Sequence, residues 1–221
     1  MRTFLNLLLS LPLFAISIFL THAFGKLTYS SGESSLYIAL LSGFGLGLVL
    51  FVFVGQFTRF YVFGHELAHW IFAKMFLRET RNFSVGKDGG AVHVQNPNIW
   101  ITLAPYFYPT FCIMWVPFWF VFKYFERDFV WSVDIFFGVL ALTWSYHFVL
   151  TLYALKFEQS DIRKYGRPLS FALILFINLF IIFIFLSLFT NNALEGVQIF
   201  GRTIYEDSLF IYQFIVEKVS N

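Results

Sequence analysis

Apolar residues run along this chain in long blocks, and short polar stretches separate them. The first block, Phe4 to about Phe24, follows Arg2 and predicts a membrane-crossing helix. It is longer than the apolar core of a cleaved secretory signal, so it reads as an uncleaved first span. Gly25 to Ser35, with Lys26 and Glu33, predicts a short polar loop. Leu36 to about Leu77 is the longest block. As one helix it would run to about 60 Å, roughly twice the thickness of a bilayer core. A break is therefore expected at Gly55-Gln56-Phe57-Thr58-Arg59, where polar residues and a charge interrupt the run. Gly43, Gly45 and Gly47 in its first half would let a neighbouring helix come close.

Arg78 to Asn98 is polar. Asn82-Phe83-Ser84-Val85, then Lys87-Asp88-Gly89-Gly90, then the alternating Ala91 to Gln95 predict a short hairpin with a tight turn. Ile99 to about Phe122 predicts another span, bent by Pro105, Pro109 and Pro117, which also free backbone carbonyls. A polar turn at Lys123–Asp128 leads to a span over Phe129 to about Lys156, which carries Asp134 and His147. Polar residues Glu158 to Pro168 precede the last clear span, Leu169 to Thr190, with Asn178 near its middle. In the mixed tail Asn191–Asn221, the stretch Ile204 to Val219 predicts an amphipathic helix lying in a membrane interface. The expected fold is an all-α polytopic membrane protein: about six transmembrane helices and one hairpin, in a single domain over 1–221 with its core at roughly 36–190.

Composition agrees. Of 221 residues 58% are hydrophobic, 23% aromatic and 13% charged, and 33 phenylalanines cannot all hide in one small core. A lipid bilayer is the implied surrounding, and the net charge of +2 gives no ground for a nucleic-acid partner. Cys112 is the one cysteine, so an intramolecular disulfide is impossible, and it reads as a packing residue. The stretches 78–98 and 156–168 are separated by two expected spans and so face one side. They hold Arg78, Arg81, Lys87, Lys156, Arg163, Lys164 and Arg167, which places that side in the cytoplasm, as for a protein of a bacterial inner membrane.

The chemistry concentrates in Gly64-His65-Glu66-Leu67-Ala68-His69-Trp70. On a helix His65 and His69 stand one turn apart on one face. Two imidazoles so placed can bind one zinc ion, and Glu66 can serve as general base toward a water on that ion. Two histidines and a glutamate in an apolar run are costly without partners, which favours the site over a helix that carries them by chance. A catalytic zinc needs a third protein ligand. Asp161 ends a span on the motif's side and reaches the ion if the helix from Phe129 continues past Lys156; paired with Arg163 or Lys164 it would be only a helix-end residue. His147, in mid-span, is the runner-up. On one helix the two are about 21 Å apart, so both cannot bind the same ion. Asp134 lies toward the opposite face, His93 on the polar stretch could meet only a shallow site, and His22 reads as interfacial. Asn178 needs a hydrogen-bond partner, either a neighbouring helix or a substrate. The edge of the strand at Gly89, Gly90 and Val92 can pair with an extended peptide. Against an enzyme stands a protein that uses the histidines only to bind metal or haem, or a scaffold derived from a protease. A zinc transporter would need a polar path that few ionisable residues are available to line.

The run Tyr61-Val62-Phe63-Gly64-His65-Glu66-Leu67-Ala68-His69 resembles the site-2 protease family of intramembrane zinc metallopeptidases. The Gly89-Gly90 strand, Ile101-Thr102-Leu103-Ala104-Pro105-Tyr106-Phe107, His147 and Gln159-Ser160-Asp161-Ile162 resemble a small, compact branch of it, over roughly residues 55–180. The resemblance implies one zinc ion, a third ligand at Asp161, and hydrolysis of a peptide bond within or near the membrane in another membrane protein. The chain departs from the usual pattern, in which that aspartate stands in Asn-Pro-Asp-Gly or Leu-Asp-Gly. Asn96-Pro97-Asn98 lacks the carboxylate. The PDZ or nucleotide-sensing domain of many members is also missing from this sequence.

Overall fold

The computed structural model describes residues 2–31, 34–54, 58–86, 89–125, 132–156, 160–190 and 193–220. In chain order its elements are helices α1 (Arg2–Ser31), α2 (Ser34–Val54) and α3 (Thr58–Met75), then strands β1 (Thr80–Val85) and β2 (Gly90–Val94). Helices α4 (Ile99–Phe107), α5 (Thr110–Phe125), α6 (Ser132–Lys156), α7 (Ser160–Tyr165), α8 (Arg167–Thr190) and α9 (Ala193–Ser220) follow. Three helices are long and apolar enough to cross a membrane: Phe4–Leu27, Val133–Lys156 and Arg167–Ser187. The bent pair α4 and α5 makes a fourth if it counts as one span, and α2 contributes the shorter apolar stretch Ser35–Phe51. The protein is therefore helical, with membrane-span character and one small sheet. The expected break at Gly55–Phe57, the turn residues Lys87 and Asp88, the second half of the polar turn (Glu126–Asp128; its first half, Lys123–Phe125, is the end of α5), and Gln159 lie outside the described residues.

The chain divides into two compact units, Met1–Glu33 with Pro168–Asn221, and Ser34–Arg167. In the first, α1 runs through the expected loop at Gly25–Ser35 as far as Ser31. Polar side chains on this part of α1 find partners on α9. Lys26 Nζ donates to Glu206 of α9 at 2.6 Å, and His22 Nδ1 lies 2.9 Å from the Asp207 carboxylate. Ala23 and Leu27, both buried, seal the same face. That burial and those pairs outweigh the about 1 kcal/mol cost of Gly25 in a helix. α9 starts well before the amphipathic stretch expected at Ile204. Its Phe200 ring meets Phe183 of α8, and Gly196 lies against Ser187.

In the second unit α2 packs along α6. Gly43 and Gly47, one turn apart, form the contact: a Cβ on Gly43 would strike the Gly138 carbonyl oxygen, and one on Gly47 the Ser145 hydroxyl. Gly45 faces away, with nothing near its absent Cβ. Two of the three glycines thus permit close approach, as small residues do between membrane helices. Gly43→Leu forces rigid backbone apart and is expected to cost at least the about 1–3 kcal/mol of an overpacked core. A thermal melt of the purified protein should show a clear drop for Gly43→Leu and almost none for Gly45→Leu.

The strands form the expected hairpin, antiparallel, with Thr80 opposite Val94 and Val85 opposite Gly90. The register slips between Arg81 and Ser84, where Asn82 adopts φ +54 as a bulge residue. The span expected over Ile99–Phe122 is instead two helices bent by 69°. Pro109 accounts for the break. It lacks an N–H and disfavours helix at the residue before it; Tyr108 is extended, at φ −98 and ψ 101. Pro105 and Pro117 stay inside their helices. α5 holds α6 through Trp115 Nε1, which donates to the Phe136 carbonyl at 3.1 Å, and through buried Cys112, whose Sγ is 3.1 Å from the Thr143 hydroxyl. Cys112 is thus a packing residue.

Candidate metal centre

α3 brings the motif into the second unit because its small residues let neighbours close on it. The Phe111 ring sits 3.0 Å from where a Cβ of Gly64 would be, Ala68 is wholly buried, and Thr110 Oγ1 donates to the Gly64 carbonyl at 3.1 Å. One turn of helix then presents both imidazoles, with the Nε2 atoms of His65 and His69 3.2 Å apart. Asp161 Oδ2 completes a triangle, 3.7 Å from His65 Nε2 and 3.5 Å from His69 Nε2.

This triangle fits a metal ion. Zinc bonds of about 2.0–2.1 Å in a tetrahedron put neighbouring ligand atoms about 3.3 Å apart. The three edges, 3.2, 3.5 and 3.7 Å, bracket that spacing, and among the described residues this is the group of three that can hold an ion. The donor set, two imidazoles and a carboxylate, suits zinc and its neighbours in the first transition row. Three electron-pair donors turned toward one point repel one another unless a cation or protons lie between them. Burial works to raise the Asp161 carboxyl, but the neighbouring His65 and His69 imidazoles prevail and hold it well below the usual carboxylate range.

Each ligand is also held from behind. His69 Nδ1 donates to the Ile101 carbonyl at 2.7 Å, which leaves Nε2 as the lone-pair nitrogen. That carbonyl is available because its ordinary helical partner is the nitrogen four residues on. In this chain that residue is Pro105, which has no N–H. The α4 helix is fixed in turn by its cap, Asn98 Oδ1 accepting from Ile101 N at 2.9 Å. Restoring a competing N–H by Pro105→Ala is expected to weaken metal binding by about 10-fold, the low end of the cost of losing an outer partner. Competition with a fluorescent chelator would measure it.

Asp161 stands in the first turn of the short α7, which is followed by Gly166, a residue at φ +87; the stretch that would join it to α6 lies outside the described residues. α7 is pinned by buried Ile162 and by Lys164 Nζ and Tyr165 OH, which donate to the Pro97 carbonyl at 3.3 and 3.2 Å. Tyr106 OH donates to Asp161 Oδ2 at 3.2 Å, and its ring meets His65 edge-on at 5.5 Å. Tyr106, Pro105 and the Ile101 carbonyl were not predicted as site groups. The readable signal was a phenol and a proline in an apolar run, each implying a polar group that must find a partner.

Glu66 is outside the ligand triangle and 9% exposed. The hairpin crosses directly over it. A Cβ on Gly90 would meet Val62 Cγ1, the Ser84 carbonyl oxygen and Glu66 Cγ, so only glycine fits there. Phe83 of β1 packs on Phe63 of α3 at 6.4 Å. Gly89, at φ +143, is a backbone conformation for glycine, and Val92 is half-buried on β2. His147 is not in the triangle; it lines a cavity beside His65. Asp161 Oδ2 thus lies 3.7 Å from His65 Nε2, while His147 lines the cavity beside that ring. Asp134 stands in the first turn of α6, His93 is exposed on β2 opposite Arg81, and His22 pairs with Asp207. None of the three joins the metal group. Asn178 belongs to the other unit, where its amide donates to the Ile174 carbonyl of its own helix at 2.8 Å.

Comparison of the chain with protein-family models, with curated proteins and with solved structures returned no match.

Proposed function

We propose that the protein is an intramembrane zinc metalloprotease of the site-2 protease-like kind, which hydrolyses a peptide bond of a membrane-protein substrate. The observation that carries this reading is the convergence of the His65 and His69 Nε2 atoms with Asp161 Oδ2, with buried Glu66 on the same turn of helix. His65, His69 and Asp161 would hold one zinc ion. When bound, zinc supplies Lewis acidity, lowering the pKa of a coordinated water and polarising a carbonyl. Glu66 takes the proton of the attacking water and later delivers it to the leaving amine. The substrate enters as an unwound segment, because a helix keeps its carbonyls in its own hydrogen bonds. The edge of β2 at Gly90 to Val92, above Glu66, would align that segment as an added strand.

The six-span topology goes with this reading, with α2 and α3 as the two further spans. So does an orientation with the site toward the cytoplasm. The hydrogen bonds of Lys164 and Tyr165 to Pro97 bring two basic stretches to one end of the unit, which supports their sharing a side. The test is purified full-length protein in proteoliposomes with a single-span reporter, assayed for bound metal and for cleavage. One equivalent of zinc is expected, with cleavage that stops on chelation and returns when zinc is restored. Stoichiometric zinc with no change in any membrane-protein fragment would leave a metal-binding scaffold; no bound metal would overturn the reading.

A further inference from the structure

A histidine that binds metal through one nitrogen carries a hydrogen on the other, and that N–H must be held for the ring to stay aimed. His69 meets this need at the Ile101 carbonyl. His65 has no such neighbour. Its Nε2 lies in the ligand triangle, and its Nδ1 is buried with no hydrogen-bond partner among the described residues. Buried N–H groups are rarely left so, and an unplaced water is a common resolution.

The space for one is present. A cavity of about 30 Å³ beside α3 is lined by His65, Tyr61, Tyr106, Tyr146, His147 and Thr151. On that measure one water needs about 10–15 Å³ and two to four polar partners, so the cavity takes one or two waters and its lining can bind them. An apolar cavity of the same size would stay dry.

We propose that this cavity is an ordered-water site, and that His147 holds the water to which His65 Nδ1 donates. His147 is thus a positioning residue, acting on the ion through His65 and not as a ligand itself. A water that accepts from His65 must give its own hydrogen onward. The hydroxyls of Tyr106 and Thr151 spend their one hydrogen on Asp161 and on the Tyr106 carbonyl, and keep only their oxygen lone pairs, weaker acceptors than an imidazole nitrogen. A neutral imidazole nitrogen is the strongest acceptor in the lining, and His147 Nε2 is a buried one. This role rests on the metal reading above and adds to it. It gives the mid-span histidine a task that neither direct ligation nor helix packing requires.

The test uses full-length protein in lipid nanodiscs, titrated with Zn²⁺ against a chelator and with Co²⁺ followed by its visible spectrum. His147→Leu is expected to weaken metal binding by about 10–100-fold and to alter the Co²⁺ bands, as loss of an outer partner does. His147→Gln restores an acceptor and is expected to recover most of the affinity. Unchanged affinity and spectrum in His147→Leu would overturn the proposal while leaving the metal site intact. Equal losses in both variants, with lowered melting temperatures, would also overturn it, in favour of packing. If the parent protein binds no metal, both this proposal and the proposed function fall. A high-resolution structure of the metal-loaded parent gives an answer independent of variant folding. A water within hydrogen-bond distance of His65 Nδ1 is expected, and a dry cavity would refute the assignment.

Discussion

Glu66→Gln is expected to stop peptide hydrolysis while one equivalent of metal stays bound. Glutamine has nearly the same volume and keeps the side-chain carbons that pack under Gly90. It cannot take a proton from water. The ligand triangle of His65, His69 and Asp161 does not include position 66, so the charge change leaves the donor set untouched. A positioned acid–base group contributes about 10²–10⁴-fold to rate. In the proposed mechanism one carboxylate would serve both proton transfers, so the loss should reach the upper end of that range. Initial rates of reporter cleavage in proteoliposomes, read beside zinc content, separate three outcomes. Rate lost with metal kept assigns the proton to Glu66. Rate lost together with metal makes Glu66 structural. An unchanged rate moves the base elsewhere. The asymmetry makes the variant useful: a helix that merely happened to carry His-Glu-x-x-His would show neither a bound ion nor a rate to lose.

The helices and the motif were legible because both have a physical period. Apolar blocks long enough for a bilayer announce themselves, and two histidines four apart must share a helix face. The hairpin was legible from alternation around Gly89-Gly90. What the sequence hid was every feature set by competition between distant groups. Gly25–Ser35 looked like a loop because it is polar and holds Lys26 and Glu33; the partner of Lys26, Glu206, lies far along the chain, as does Asp207, which pairs with His22 one turn earlier on the same helix. Three prolines between Ile99 and Phe122 promised a bend, but not which one would break the helix. Pro109 does so, while Pro105 remains inside α4 and frees the carbonyl that His69 takes. The third member of the metal group was the hardest case. No local pattern joins His65 and His69 to a carboxylate far along the chain, though the expectation that Asp161 and His147 do not share one ion agrees with the triangle, which takes Asp161 and leaves His147 on the cavity beside His65.

That shared neighbourhood makes the second large prediction a contrast. Asp161→Ala is expected to lose bound zinc under conditions where His147→Leu, weakened but still holding three ligands, remains loaded at saturating metal. Removing a direct ligand leaves two imidazoles, 3.2 Å apart at Nε2, and no anion to balance the ion. The loss should exceed the about 10–100-fold that an outer-shell partner costs. Tyr106→Phe supplies the intermediate rung. It keeps the ring that meets His65 and deletes only the hydroxyl that donates to Asp161 Oδ2, so its effect should fall within that outer-shell range. Zinc retained after dialysis against a graded series of chelators gives the order directly. Full retention of one equivalent in Asp161→Ala would remove the carboxylate from the metal and turn the triangle into a hydrogen-bonded cluster of two histidines and an acid. The order Asp161→Ala, then Tyr106→Phe, then parent is the one that a His65–His69–Asp161 centre dictates, because only in that centre does the phenol act on the ion through the carboxylate it binds.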